Sequence, residues 1–327
     1  MARINDQLLD CVIYLYGSRQ EAEAGINIGG SGFLVSYPGS PGTEPGGFIY
    51  AVTNRHIIRS GCSTVRLNTT DGKTDVFEYS PSSWVCSETD DLAVRALPGT
   101  LSGTVYRFRV VPRRHFLTPE MATFYNLGVG DEVKMIGRFI NIEGKQRNIP
   151  TARFGFIAQM PLDPIRSEDR GVEYDQDSFL ADIKSIGGYS GSPVFWELFP
   201  PPAEPRPDEL LPREYLLGID WAHIRDWEPV CGANGKPLTG GHQVELNTGI
   251  AAIVPAWKLR DLLDNHPMLK KERELAEKAY SSKNASVAKL DGAFGVPPAS
   301  DENPKHLEDF RRLVSVAARK RPRGDQT

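Results

Sequence analysis

Three separated stretches of the chain carry residue types that can do chemistry together: Tyr50-Ala-Val-Thr-Asn-Arg-His56, Thr89-Asp90-Asp91-Leu-Ala-Val94 and Gly187-Gly188-Tyr189-Ser190-Gly191-Ser192-Pro193. A serine hydroxyl is a poor nucleophile near neutral pH, so Ser190 needs an imidazole to take its proton as it attacks. His56 can serve as that base. An imidazole in turn needs a buried carboxylate on its other nitrogen, which fixes the tautomer and stabilises the imidazolium, and Asp91 suits that part. Each stretch alone is also what ordinary structure looks like: a histidine closing an apolar strand, an aspartate opening another, a glycine-rich tight turn. Taken together they offer a base, a group to orient it and a nucleophile.

Such side chains have to be positioned by elements far apart in sequence. The 31 glycines and 25 prolines lie between short β-type runs, and helical periodicity is scarce before residue 255, as in an all-β sandwich or barrel. Six strands are expected at Cys11–Tyr16, Ser31–Ser36, Phe48–Thr53, Thr64–Leu67, Asp75–Tyr79 and Leu92–Leu97. Six more follow at Glu132–Arg138, Ile149–Gln159, Phe179–Lys184, Ser192–Phe195, Tyr215–Trp221 and Gly249–Val254. Each set is enough to close a small barrel, which predicts two packed six-stranded antiparallel β-barrels, about 1–125 and 126–265, with a site between them. The stretches 37–47, 200–212 and 225–247 read as exposed connections. Pro255 opens a closing helix with Trp257, Leu259, Leu262 and Leu263 on one side.

Beyond His266 the composition shifts to Lys, Glu, Ala and Ser, then to a Pro-Pro linker and a short amphipathic stretch with Leu307, Phe310, Leu313 and Val314 at helical spacing. Residues 266–327 therefore read as an appendage, partly flexible, able to dock a regulatory protein partner. The net charge of −4 leaves no basic excess to coat a phosphate backbone, so nucleic acid is set aside as a partner. No run approaches the roughly 20 apolar residues that cross a bilayer, and no membrane association is expected. The four cysteines form no C-x-x-C pair, which indicates a reducing, cytoplasmic setting and no zinc ribbon. His115, His242 and His266 read as solvated loop residues, and neither a metal nor another cofactor is expected.

At this point the chain resembles the trypsin-like, chymotrypsin-fold serine peptidases, over roughly residues 10–265, and within them the bacterial HtrA-like members. His-Asp-Ser is the order of that arrangement, whereas α/β-hydrolases run Ser, acid, His and subtilisins Asp, His, Ser. Further matches in order are Gly30-Ser-Gly-Phe-Leu34, Val52-Thr-Asn-Arg-His56, Asp91-Leu-Ala-Val94, Gly188-Tyr-Ser-Gly191 and Leu217-Gly-Ile219. The resemblance implies a serine endopeptidase acting on protein or peptide substrates through His56, Asp91 and Ser190, with an oxyanion hole from the backbone N–H groups of Gly188 and Ser190. The alternative it leaves is an inactive peptide-binding module on the same fold.

The chain departs from the digestive members at two places. Tyr189 stands where they have the aspartate that pairs with a newly cut amino terminus, so activation by N-terminal cleavage is not supported. Ile57 stands where they have a cysteine. The 266–327 segment is also too short for the PDZ domain common in HtrA enzymes. By resemblance, the substrate pocket is walled by Lys184 to Tyr189, by Asp220, Trp221, Ala222 and His223, and by Asn247 to Ala251, with Gly249 among them. Lys184 lies where trypsins place their selecting charge, which implies an acidic substrate side chain; the plainer reading, preferred here, has Lys184 in solvent. Asp220, Trp221 and His223 read as packing or main-chain-binding residues.

Overall fold

The computed structural model describes residues 4–39, 47–98, 101–138, 146–169, 171–185, 187–198, 213–232, 236–238 and 240–279. The linker and amphipathic stretch expected near residues 290–318 lie outside them. The architecture is mostly β. In the first half, β1 (Val12–Tyr16), β2 (Ile28–Tyr37), β3 (Phe48–Thr53), β4 (Thr64–Asn68), β5 (Thr74–Phe77), β6 (Val85–Cys86), β7 (Ala93–Ala96) and β8 (Val111–Pro112) form one eight-stranded sheet. Its path runs β5-β4-β1-β2-β3-β7-β6, with β8 added in parallel to β2. The six expected strands are all present; β6 and β8 add two residues each, too short to carry a periodic signal.

Period-two alternation explains how this sheet is buried on both faces. Along β1, Val12, Tyr14 and Tyr16 enter one apolar cluster while Ile13 and Leu15 enter another, because successive side chains of a strand point to opposite sides. The smaller cluster draws only on the first half, from Ile13 to Leu97, and includes Ile57 and Trp84. The larger spans both halves, from Leu8 to Leu269, so it joins the two β-modules and seats the loops between them.

The second half contributes β9 (Glu132–Gly137), β10 (Thr151–Gln159), β11 (Ile165–Asp169), β12 (Val172–Gln176), β13 (Phe179–Asp182), β14 (Pro193–Glu197), β15 (Glu214–Pro229) and β16 (Gln243–Pro255). Six of them close a barrel in the order β10-β13-β16-β15-β14-β9, and β11 and β12 pair only with each other. Two differences from the sequence reading stand out. The β11–β12 hairpin was not anticipated, and most of the stretch 225–247, taken for a connection, continues β15 and β16 as a paired arm from Arg225↔Asn247 to Pro229↔Gln243. Both arms are largely exposed, so neither shows the apolar alternation that marks a half-buried strand.

The closing helix spans Ala256–Asn265, and a second helix follows at 267–279. Its Leu269 is fully buried. Arg273 donates from Nη1 to Tyr50 Oη at 3.2 Å and from Nη2 to the Leu263 carbonyl at 2.8 Å, and it lies over the Tyr37 ring at 4.2 Å. The packed unit therefore runs past the composition break at His266 to Glu277. Lys and Glu dominate this helix in number, but one stripe of it faces the first sheet.

Leu269→Ala should lower the unfolding free energy by about 2–4 kcal/mol, as for other buried leucines, measured by denaturant unfolding of the full chain. A change below 0.5 kcal/mol would mean that the helix is not part of the cooperative unit. All four cysteines are free, so the melting temperature should be the same with and without reductant.

Candidate active site

Thr53, the last residue of β3, pairs with Ala93, the first of β7. The loops flanking that pair therefore meet: Asn54–His56 leaves the end of β3, and Ser87–Leu92 enters β7. The second loop is a tight turn tied by the Asp90 N–H to Ser87 Oγ at 3.1 Å and by the Ser87 N–H to the Leu92 carbonyl at 2.9 Å. Across the junction His56 Nδ1 lies 2.6 Å from Asp91 Oδ2, and the His56 backbone N–H donates to Asp91 Oδ1 at 2.9 Å. Asp91 is 1% exposed. Both carboxylate oxygens are thus engaged by one histidine, the bidentate hold that keeps the ring in a single orientation with Nδ1 protonated.

The loop is fixed from three further directions. Asn54 Nδ2 donates to the Asp91 carbonyl at 3.0 Å, and Arg55 Nη1 donates to the Ser87 and Glu88 carbonyls at 3.0 and 3.1 Å. The third comes from the second module. Gln176, fully buried at the end of β12, accepts from the Asp91 N–H at 2.8 Å and donates from Nε2 to Asp90 Oδ1 at 3.0 Å. Tyr174, on the same hairpin, stacks under the Arg55 guanidinium at 4.7 Å. Its hydroxyl pKa is raised by burial first and by the Asp91 charge second. Lys258 binds Asp177 at 2.7 Å and reaches Asp90 at 3.8 Å. Gln176, Arg55 and Tyr174 were not found by sequence reasoning, since no spacing pattern marks them.

Ser190 precedes β14. Its carbonyl accepts from the Ser31 N–H at 2.9 Å, and Ser31 Oγ donates to the Gly188 carbonyl at 3.0 Å, which ties the serine loop to β2 of the first module. Gly188 and Gly191 have φ of +94° and +85°, a left-handed region that favours glycine. At 191 a Cβ would lie 2.0 Å from the Ser31 carbonyl oxygen and 2.5 Å from Thr53 Oγ1, so no side chain fits. Tyr189 is fully buried; its hydroxyl meets Thr151 Oγ1 at 2.7 Å and Arg153 lies over its ring at 5.0 Å. Among the described residues the N–H groups of Gly188 and Ser190 have no acceptor. The Ser190 hydroxyl likewise makes no hydrogen bond among them.

The other pocket residues named from the sequence divide by environment. Lys184 is exposed with φ +53°; its N–H donates to the Gly249 carbonyl at 2.6 Å and its own carbonyl accepts from Arg153. Trp221 is buried and donates to Ser178 Oγ at 2.9 Å. Ala222 and His223 are half-buried on β15, beyond its last pair with β14 at Pro193↔Ile219. His223 has its pKa lowered by burial first and by Arg225 second. Gly249 has φ +85° and donates to Asn247 Oδ1 at 2.8 Å. Asp220 is 1% exposed, and burial lifts its carboxyl to about 7 against the opposing effects of the Ser185 hydroxyl and the His56 charge.

His115 corrects the sequence reading. It is buried rather than solvated, with Nδ1 3.1 Å from the Glu214 carbonyl, and it packs against the Tyr215 ring. Among the described residues no group of three or more His, Cys, Asp and Glu is placed to hold a metal, and no helix is long and apolar enough to cross a membrane.

No protein-family model matches the sequence, and no curated protein matches it. Among solved structures the chain is similar to the Rv3671c protease of M. tuberculosis. Against its active form the identity is 15%, covering 81% of this chain and 88% of that one, with a TM-score of 0.44. Against an inactive form the identity is 15%, covering 79% and 90%, with a TM-score of 0.40.

Two outcomes check the electrostatics. Gln176→Leu strands the Asp91 N–H and removes the Asp90 contact, so stability should fall by about 1–3 kcal/mol in denaturant unfolding. Asp220→Asn should act in the opposite direction. A carboxyl whose folded pKa lies above its unfolded value of about 3.9 costs stability as pH rises from about 4 to 7. The asparagine variant should therefore match the native chain near pH 4 and exceed it by a few kcal/mol at most near pH 8.

Proposed function

We propose that the chain is a serine endopeptidase of the trypsin-like kind, with Ser190 as nucleophile, His56 as general base and acid, and Asp91 as the group that orients and stabilises the imidazole. One observation carries the reading. A buried carboxylate gripped at both oxygens by a single histidine shares the module junction with a serine loop in which the backbone N–H groups of Gly188 and Ser190 have no acceptor among the described residues. A merely structural histidine does not need that second arrangement beside it.

In the proposed reaction Ser190 Oγ attacks the carbonyl carbon of the scissile peptide while its proton passes to His56 Nε2. The tetrahedral oxyanion receives hydrogen bonds from the N–H groups of Gly188 and Ser190, which are fixed in advance by the positive φ of Gly188 and the buried anchor of Tyr189. Asp91 stabilises the imidazolium without taking its proton. His56 then protonates the leaving amine, and a water, deprotonated by His56, hydrolyses the acyl-enzyme. The stretch Trp221–His223, whose edge is released from β14, offers main-chain groups for an extended substrate to pair with. No cofactor enters this scheme, and four unbridged cysteines agree with a reducing compartment.

A second reading, peptide capture without cleavage, draws on the Ser190 hydroxyl having no hydrogen bond among the described residues. Catalytic contacts of this kind are commonly long before substrate binds. A fluorophosphonate probe decides between the two, because it labels only an activated serine. The native chain should be labelled and Ser190→Ala should not, and Asp91→Asn should lose roughly 10⁴ in turnover. Labelling that survives Ser190→Ala, or an Asp91→Asn variant of full activity, would overturn the triad.

A further inference from the structure

The two N–H donors proposed for the oxyanion belong to the peptides 187–188 and 189–190. The peptide between them, 188–189, sets how they point relative to each other. Its orientation is not dictated by the loop's own residues. Gly187 and Gly188 stand side by side, and glycine has access to both signs of φ, so the φ of +94° at Gly188 has to be selected by contacts from outside the loop.

Ser31 on β2 makes those contacts. It is fully buried. Its N–H donates to the Ser190 carbonyl at 2.9 Å, and its carbonyl accepts at 2.8 Å from Oγ1 of Thr53, the last residue of the strand before His56. The hydroxyl does two further things at once: it accepts from the Arg138 N–H at 3.0 Å and donates to the Gly188 carbonyl at 3.0 Å. A backbone N–H can only donate and a carbonyl can only accept, so the group between them must do both, which suits a small hydroxyl. Arg138 also backs Gly188 directly. Its Nη1 would lie 3.4 Å from a Cβ at 188 and donates to the Ile28 carbonyl at 2.9 Å. The 188–189 peptide is thus held at its carbonyl by β2, while Gly188 rests against a side chain that β2 also holds.

Resting on the reading of Ser190 as nucleophile, we propose that Ser31 is a positioning residue for the oxyanion hole: by holding the Gly188 carbonyl, its hydroxyl keeps the Gly188 and Ser190 N–H groups aimed at one point before substrate arrives. It touches neither substrate nor the reacting atoms. Its effect falls on the step in which negative charge builds on the substrate oxygen, because donors set in advance need no reorganisation at that moment. Through Thr53 the same residue also steadies the strand end that leads to His56, so base and oxyanion donors share one support in the first module.

The test compares the native full chain with Ser31→Ala, which deletes the hydroxyl and leaves the backbone ties, and with Ser31→Cys, which keeps the shape but donates weakly. With a short peptide substrate, kcat should fall about 30-fold or more for Ser31→Ala and less for Ser31→Cys, with KM within about threefold of the native value. Two inhibitors built on one peptide supply the second readout. The peptide aldehyde forms a tetrahedral adduct with Ser190 whose oxygen takes the oxyanion position, whereas the corresponding alcohol binds without one. Ser31→Ala should weaken the aldehyde about as much as it lowers kcat and leave the alcohol unchanged. A merely structural serine would shift both inhibitors alike. Equal losses on the two inhibitors, a native kcat in Ser31→Ala, or failure of both variants to fold would overturn the positioning role while fluorophosphonate labelling of the native chain still supported the peptidase. A native chain that the fluorophosphonate does not label would overturn both.

Discussion

A carboxylate withdrawn from water must find its hydrogen bonds in the protein, and at Asp91 this requirement organises the junction of the two modules. One histidine supplies two of the donors, its ring and its own backbone N–H. Holding that geometry requires the strand end before His56 and the turn before β7 to stay in register, and the Thr53↔Ala93 pair does so. The remaining groups of the turn are satisfied by Asn54, Arg55 and, from the other module, Gln176. A buried charge is stable in such a place only if every part of its surroundings is fixed. The rigidity of the site and the docking of the modules are therefore one property.

The β11–β12 hairpin is the element through which this works. It pairs with no other strand, so nothing in the barrel's own hydrogen bonding requires it. Its contribution is made by side chains at one end: Tyr174 against Arg55 and Gln176 against both Asp90 and Asp91. The outer part of the hairpin is exposed while Gln176 is fully buried.

Much of the fold was legible because strands buried on one or both faces, such as β1 to β3, alternate or run apolar in ways the sequence displays. The His56, Asp91 and Ser190 stretches stand out in the sequence for a different reason: the chemistry proposed for them needs specific residue types with glycine at set places. What escaped notice shares one physical character. The hairpin arms place polar residues on both faces, and Gln176 is a glutamine in a polar run whose meaning arises only when β12 reaches the other module. The 267–279 helix reads as solvated because charged residues outnumber Leu269 and Arg273 on its buried stripe. Asp220 was seen, but a carboxylate with an unmatched oxygen is a property of packing, not of sequence.

Tyr189 has a further consequence. Its anchors, Thr151 and Arg153, both lie on β10 of the same barrel, and its ring packs on Gly137 of β9. The loop that carries Ser190 is therefore held by side chains that come together when that barrel closes. Ser31 of β2 adds two further ties, to the carbonyls of Gly188 and Ser190, so the shape of this loop depends on the closed barrel and on its junction with the first module together.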